Sequence, residues 1–167
     1  MTEKRQMLRH FLGALAYRTQ KALRGAPESF AQFDAGSGVR TPMELVRHMA
    51  SVLGYARTFF IGGSYRPEPL ENFEDETARF HEMLSDLRRL LDEETPLIDI
   101  TEERMLQGPF SDVMTHAGQL AMLRRLHGEP VRSENFVFAD VSADNVSSKQ
   151  PDPVAPDEHW PAPRPWD

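Results

Sequence analysis

Cysteine is absent from this chain, and that single absence closes several routes at once. No disulfide, thiolate metal ligand or cysteine nucleophile can be built. A cysteine-free chain is compatible with a reducing cytoplasm, where this one is expected to reside. Long apolar runs are missing too: nothing approaches the roughly 18 residues that a membrane span requires. Met1 to Arg9 is charged, and the apolar stretch Phe11 to Tyr17 is short and has no cleavage site, so no secretory signal pattern opens the chain. A soluble protein with no membrane partner is expected. Positive charge is also in short supply, with 19 Lys and Arg against 26 Asp and Glu and a net charge of −7. That balance disfavours a surface devoted to nucleic acid. One local exception is basic: Lys4, Arg5, Arg9, Arg18, Lys21 and Arg24. It reads as a solvated helix face, with a phosphate-binding patch as the competing reading. No glycine-rich phosphate loop, His-Glu-x-x-His signature or Ser-His-Asp order is present.

What is present is globular. The 167 residues, 40% hydrophobic and 27% charged, suffice for one domain with its own core. Four segments carry helical periodicity. In the first, Leu8, Phe11, Leu12, Leu15, Thr19, Ala22 and Leu23 recur at spacings of three and four, and Gly25 with Pro27 stops the helix. Residues 25–40 read as a loop anchored by Phe30 and Phe33. Thr41-Pro42-Met43-Glu44 is a capping box with proline at the first helical position. Leu45, Met49, Val52, Leu53, Ala56, Phe59 and Phe60 then form an apolar stripe that ends at Gly62-Gly63. A third helix is expected to start at Asn72, with Phe73, Thr77, Phe80, Leu84, Leu87 and Leu91 on its inner face and Pro96 beyond it. Leu97 to Gln107 is ambiguous, with a short helical turn around Glu102 to Leu106. Gly108-Pro109 is expected to open the fourth helix, which carries Val113, His116, Leu120, Leu123 and Leu126 and stops at Gly128 and Pro130.

These segments predict an all-α four-helix bundle over residues 1–130. Residues 131–167 are expected to form an extended segment and an irregular proline-rich C-terminal tail. Within them, Asn135 to Val141 alternates weakly, and six of the last seventeen residues are proline, which forbids a helix or a sheet ladder there. Trp160 and Trp166 are expected to dock that tail onto the body, against the alternative of a tail that stays in solvent.

Two histidines fall on buried stripes. His48 lies three residues after Leu45 and four before Val52; His116 lies three after Val113 and four before Leu120. A lone histidine on an apolar face is usually a core residue. Two on facing helices point to a metal site, because bundle cores assemble such sites from inward side chains. Asp112, one turn before His116, can reach the same ion, as Asp-x-x-x-His spacing allows. Its competing reading is a carboxylate favoured at a helix N-terminus. Gln119 is placed to orient a histidine or to face solvent. His10, His81, His127 and His159 read as structural or solvated.

The stretches Thr41-Pro-Met-Glu-Leu-Val-Arg-His48-Met and Gly108-Pro-Phe-Ser-Asp112-Val-Met-Thr-His116-Ala-Gly-Gln-Leu resemble the second and last bundle helices of the DinB-like superfamily. The likeness spans roughly residues 5 to 130. It implies an up-down-down-up bundle, frequent homodimers and a divalent metal held by three histidines. Here Asp112 stands where the family commonly has the histidine one turn before the residue matching His116. A set of two histidines and one carboxylate suits Zn²⁺, Ni²⁺, Mn²⁺ or Fe²⁺ and leaves positions for water or substrate. The resemblance implies a metal-dependent enzyme with His48, Asp112 and His116 as ligands. It would be a thiol S-transferase, acting on a small-molecule thiol and an electrophile, or a metal-assisted hydrolase. The alternative is a non-catalytic stress-related binding or scaffold bundle with a structural metal or none.

Overall fold

In the computed structural model, residues 1–156 are described. They are all-helical, with one isolated antiparallel bridge, Glu134 to Pro156, and no strand among them. Helix α1 (Glu3–Leu23) starts at Thr2, whose hydroxyl accepts the Arg5 amide. Helix α2 (Pro42–Ile61) starts at Thr41, and both halves of the capping box form: the Glu44 amide donates to Thr41 Oγ1 at 3.3 Å and the Thr41 amide donates to Glu44 Oε2 at 2.9 Å. Gly62, at φ 73°, ends it in the left-handed region that favours glycine. Helix α3 (Phe73–Asp92) is capped by Asn72, with three acidic residues in its first turn where the helix dipole favours them.

The fourth segment differs from expectation. Gly108-Pro109 does not open a helix. Thr101 does, its hydroxyl accepting the Arg104 amide ahead of α4 (Glu102–Met105). From there the chain stays helical through a π turn (Leu106–Phe110) into α5 (Ser111–Leu126). The reason lies at Pro109, which has no N–H to donate and whose ring would collide with a carbonyl one α-turn back. Widening the turn by a residue relieves that clash, and the Ser111 hydroxyl donates to the Leu106 carbonyl at 2.7 Å.

Side-chain pairs show which helices are neighbours. Phe11 of α1 stacks on Phe110 of the π turn with ring centres 6.3 Å apart, and the Arg124 guanidinium of α5 donates to the carbonyls of Ala22 and Arg24 at the end of α1. Arg47 meets Glu76 and Arg57 meets Asp86 between α2 and α3, and Arg9 meets Asp92 between α1 and α3. Leu12, Leu15, Met49, Leu53, Leu84, Leu87 and Leu120 fill the interior. The loop after α1 is anchored by fully buried Phe30, and the His127 ring packs edge-on against both Phe30 and Phe33. Some stripe residues are less buried than their spacing suggests: Phe11, Phe73 and Thr77 are half-buried, and three more lie along the α2–α5 seam. Val52 and Phe59 are half-buried and Leu126 is exposed, because all three border the α2–α5 seam, where the bundle opens. No helix among the described residues is long and apolar enough to cross a membrane.

Much of the basic face of α1 is paired with acids rather than left as a solvated stripe. Arg5 pairs with Glu102, Arg9 with Asp92 and Asp144, Lys21 with Glu134 and Arg24 with Asp152. Much of this pairing comes from the segment after α5, which returns across α1 and α3. Its Glu134 carboxylate is fully buried and accepts from the Tyr17 hydroxyl at 2.6 Å and from Lys21 Nζ at 2.7 Å. Burial and that carboxylate both raise the Tyr17 phenol above its usual pKa. Phe136 lies edge-on to Tyr17 and beneath Arg18, whose guanidinium carbon is 3.8 Å from the ring centre. Val146 enters the core, and its carbonyl meets His81 Nδ1 at 2.8 Å. The expected docking of Trp160 and Trp166 falls on residues 157–167, outside the described residues.

This return segment touches α1 most closely at Gly13, where an added Cβ would lie 2.3 Å from the Ser142 carbonyl oxygen. Gly13→Ala therefore forces backbone apart. It is expected to cost about 1–3 kcal/mol of overpacking, partly offset by up to about 1 kcal/mol of helix propensity. Urea unfolding with limited proteolysis checks it: stability should fall and cleavage beyond residue 130 should quicken, with helix content retained.

Candidate metal centre

Facing α2 against α5 brings together the three residues singled out in the sequence. His48 and His116 lie with ring centres 4.8 Å apart and nearly perpendicular. Asp112 Oδ1 lies 3.3 Å from His116 Nε2 across one helical turn. One donor atom from each of His48, Asp112 and His116 lies within 4.8 Å of the others. His116 is buried, His48 half-buried and Asp112 exposed, so the group opens outward on its carboxylate side.

The donor set was tested against the geometry a divalent ion requires. Metal–ligand bonds of about 2.0–2.1 Å give a tetrahedral edge of roughly 3.3–3.4 Å. The Asp112–His116 edge already has that length. The other donor pairs lie within 4.8 Å, so the group must contract to grip an ion.

Hydrogen bonding around His116 is compatible with a metal ligand. Its Nδ1 lies 2.8 Å from Gln119 Oε1, an acceptor. With Nδ1–H donating there, Nε2 presents a lone pair toward Asp112, an acceptor-only carboxylate. In that tautomer a metal ion can sit between the two acceptors, 3.3 Å apart; in the other, Nε2–H donates to Asp112 directly. Gln119 thus has the role of an outer partner that fixes the tautomer and orientation of a ligating imidazole. His48 contributes in the same sense. Burial, then the nearby charges of Arg40 and His116, hold its pKa below the ordinary imidazole value, which keeps it a neutral donor.

Asp112 does not cap a helix. The helix already begins at Thr101, and α5 has no side-chain cap hydrogen bond. The N-terminal reading of this carboxylate therefore loses its physical basis, which depended on Gly108-Pro109 being a start.

The site sits midway along the α2–α5 seam, with a cleft on each side. Toward the π turn, a cleft of about 680 Å³ is lined by Val52, Tyr55, Phe59, Arg104, Pro109 and Asp112 among others. Toward the other end, one of about 720 Å³ reaches Arg40, Leu45, Gln119 and Leu126. Both volumes suit a small molecule. Sequence reasoning missed Tyr55, Arg40 and Arg104. Arg104 lies two turns before Asp112 on one continuous helix, a relation hidden while Gly108-Pro109 was read as a boundary. The other histidines stay out of the group. His10 is exposed, His81 is buried under Val146, His127 packs against Phe30 and Phe33, and His159 lies outside the described residues. The chain matches no protein-family model, no curated protein and no solved structure.

His81, like His48, is held below the ordinary imidazole pKa of 6.5, chiefly by burial. Unfolding therefore takes up protons beneath pH 6.5. The stabilisation is complete above that value and is lost as pH falls through the folded-state values. Urea unfolding of metal-free protein should show stability declining between about pH 6.5 and about pH 5, above the ordinary carboxylate range. His81→Leu should make that slope shallower.

Proposed function

We propose that this chain is a divalent-metal-dependent enzyme of the DinB-like type, with His48, Asp112 and His116 as its protein ligands. The observation that carries the reading is the convergence of His48, Asp112 and His116, whose donor atoms lie within 4.8 Å of one another, with Gln119 against the other ring nitrogen of His116. Zn²⁺, Ni²⁺, Mn²⁺ and Fe²⁺ all accept two imidazoles and a carboxylate, and three protein ligands leave coordination positions open. The exposure of Asp112 and the clefts beside it favour an exchangeable site over a closed structural one. A bound ion supplies Lewis acidity, lowering the pKa of a thiol or a water at neutral pH. The chain's own residues hold the donors in place, keep His48 neutral and screen one side of the site with apolar α2.

Two clefts flanking one centre favour a two-substrate reaction, transfer of a small-molecule thiol to an electrophile, over hydrolysis. The up-down-down-up order belongs to the same proposal. It is supported by pairs that advance in step between α2 and α3 (Arg47 with Glu76, Arg57 with Asp86) and between α1 and the helix that runs from the π turn through α5 (Phe11 with Phe110, Ala22 with Arg124).

Elemental analysis of protein purified without chelator should return about one divalent ion per chain. His48→Ala and His116→Ala should each weaken zinc affinity by about 100-fold or more, and Gln119→Ala by about 10–100-fold, with the helical circular dichroism kept. Asp112→Ala should lower zinc affinity and leave the metal-free melting temperature nearly unchanged. Unaltered zinc affinity in either histidine variant removes the site. A homodimer is part of the proposal, with exposed Met7, Met122 and Leu126 available to it. Light scattering should give twice the 19.0 kDa chain mass, and a monomer across micromolar concentrations rejects it.

A further inference from the structure

The cleft on the π-turn side has an unusual chemical polarity. One wall is aromatic: Tyr55 and Phe59 stand edge-to-face with ring centres 4.8 Å apart, and Tyr55 is 55% exposed. Val52 and Pro109 continue the apolar lining, and Asp112 marks the end nearest the metal group. The opposite end carries Arg104. Its backbone amide is taken up by the Thr101 cap, but its guanidinium has no hydrogen bond or ion pair among the described residues. Its neighbours are otherwise engaged, since Glu102 pairs with Arg5 and Glu103 with Lys4. On a chain of net charge −7, where most basic residues of α1 are matched by acids, an arginine at the rim of this cleft keeps its guanidinium available to an anion. Arg104 and Asp112 are eight residues apart on one helical path, roughly 12 Å at about 1.5 Å per residue. That is the length of a small amphiphile.

We propose that this cleft binds a small organic carboxylate with an aromatic or branched apolar body, its carboxylate on Arg104 and its body against Tyr55 and Phe59. Its far end then meets the metal group. The proposal deepens the enzyme reading by naming the class of the electrophilic substrate, and it rests on that reading only for which end reacts. Arg104 is a specificity-determining residue here: a guanidinium fork recognises a carboxylate in two hydrogen bonds. The rings supply apolar area and orientation.

The test uses 3-phenylpropanoate and its uncharged amide, titrated by NMR into metal-free and zinc-loaded full-length protein. The acid should bind about tenfold more tightly than the amide in both forms. Arg104→Gln should abolish the preference, Arg104→Lys should retain part of it, and Arg40→Gln, in the other cleft, should leave it intact. Equal binding of acid and amide, or no binding of either, overturns the proposal. So does a preference that appears only with zinc and survives Arg104→Gln, since the carboxylate would then sit on the ion. A chain that prefers the acid through Arg104 yet takes up no zinc supports this cleft and rejects the metal centre. The reverse pattern keeps the metal centre and rejects the cleft.

Discussion

The ion pair between Arg47 and the buried carboxylate of Glu76 is the constraint on which the site depends. Arg47 Nε donates to Glu76 Oε1 at 2.6 Å, and the Leu70 amide donates to the same oxygen at 2.8 Å. Arg47 also reaches the Leu70 carbonyl. The cluster thus locks α2, α3 and the linker between them. A buried charge is costly unless it is paired and hydrogen-bonded, so α2 cannot rotate about its axis without exposing that cost. Successive helical residues point about 100° apart. Fixing Arg47 toward α3 therefore aims His48 away from α3 and into the α2–α5 seam. The metal group follows from where a neighbouring charge is held.

From the other side of the seam, the π turn does comparable work. It lets one helix run from Glu102 to Leu126 through a proline, and it puts Arg104, Asp112 and His116 on one continuous element. Both Gly108 and Pro109 line the cleft beside it. Wide turns of this kind recur at functional positions in helices because they disturb the backbone ladder locally and leave room for a ligand. The apolar residues that border the opening, Val52 and Phe59, are among those whose helical spacing suggested deeper burial.

Most of the architecture was legible because its signals are local. Thr41 with Glu44, Asn72 before three acids, and apolar residues at three- and four-residue spacing each report on a few neighbouring residues. His48 and His116 could be placed on inner faces by the same counting. Two things resisted. Gly108-Pro109 carries the same letters whether it starts a helix or sits within a π turn; the difference lies in Thr101, whose capping role becomes visible only with its hydroxyl on the Arg104 amide. The basic residues of α1 looked solvated because their partners, Glu102, Glu134, Asp144 and Asp152, lie about a hundred residues or more away, and spacing rules do not reach that far.

That separation has a kinetic meaning. Tyr17 and Glu134 are 117 positions apart, and Arg24 and Asp152 are 128 apart. Contacts of such long range are slow to form, because the loop they close costs entropy before the contact returns anything. During synthesis α1 emerges long before Glu134 and Asp152, so Lys21 and Arg24 must wait for their acids. Until then α1 can lie against α3 and α5 through its leucines, but its basic flank stays open to any polyanion nearby. The return segment acts as a closing clasp on the nascent fold, and its arrival hides a surface that only the unfinished chain displays.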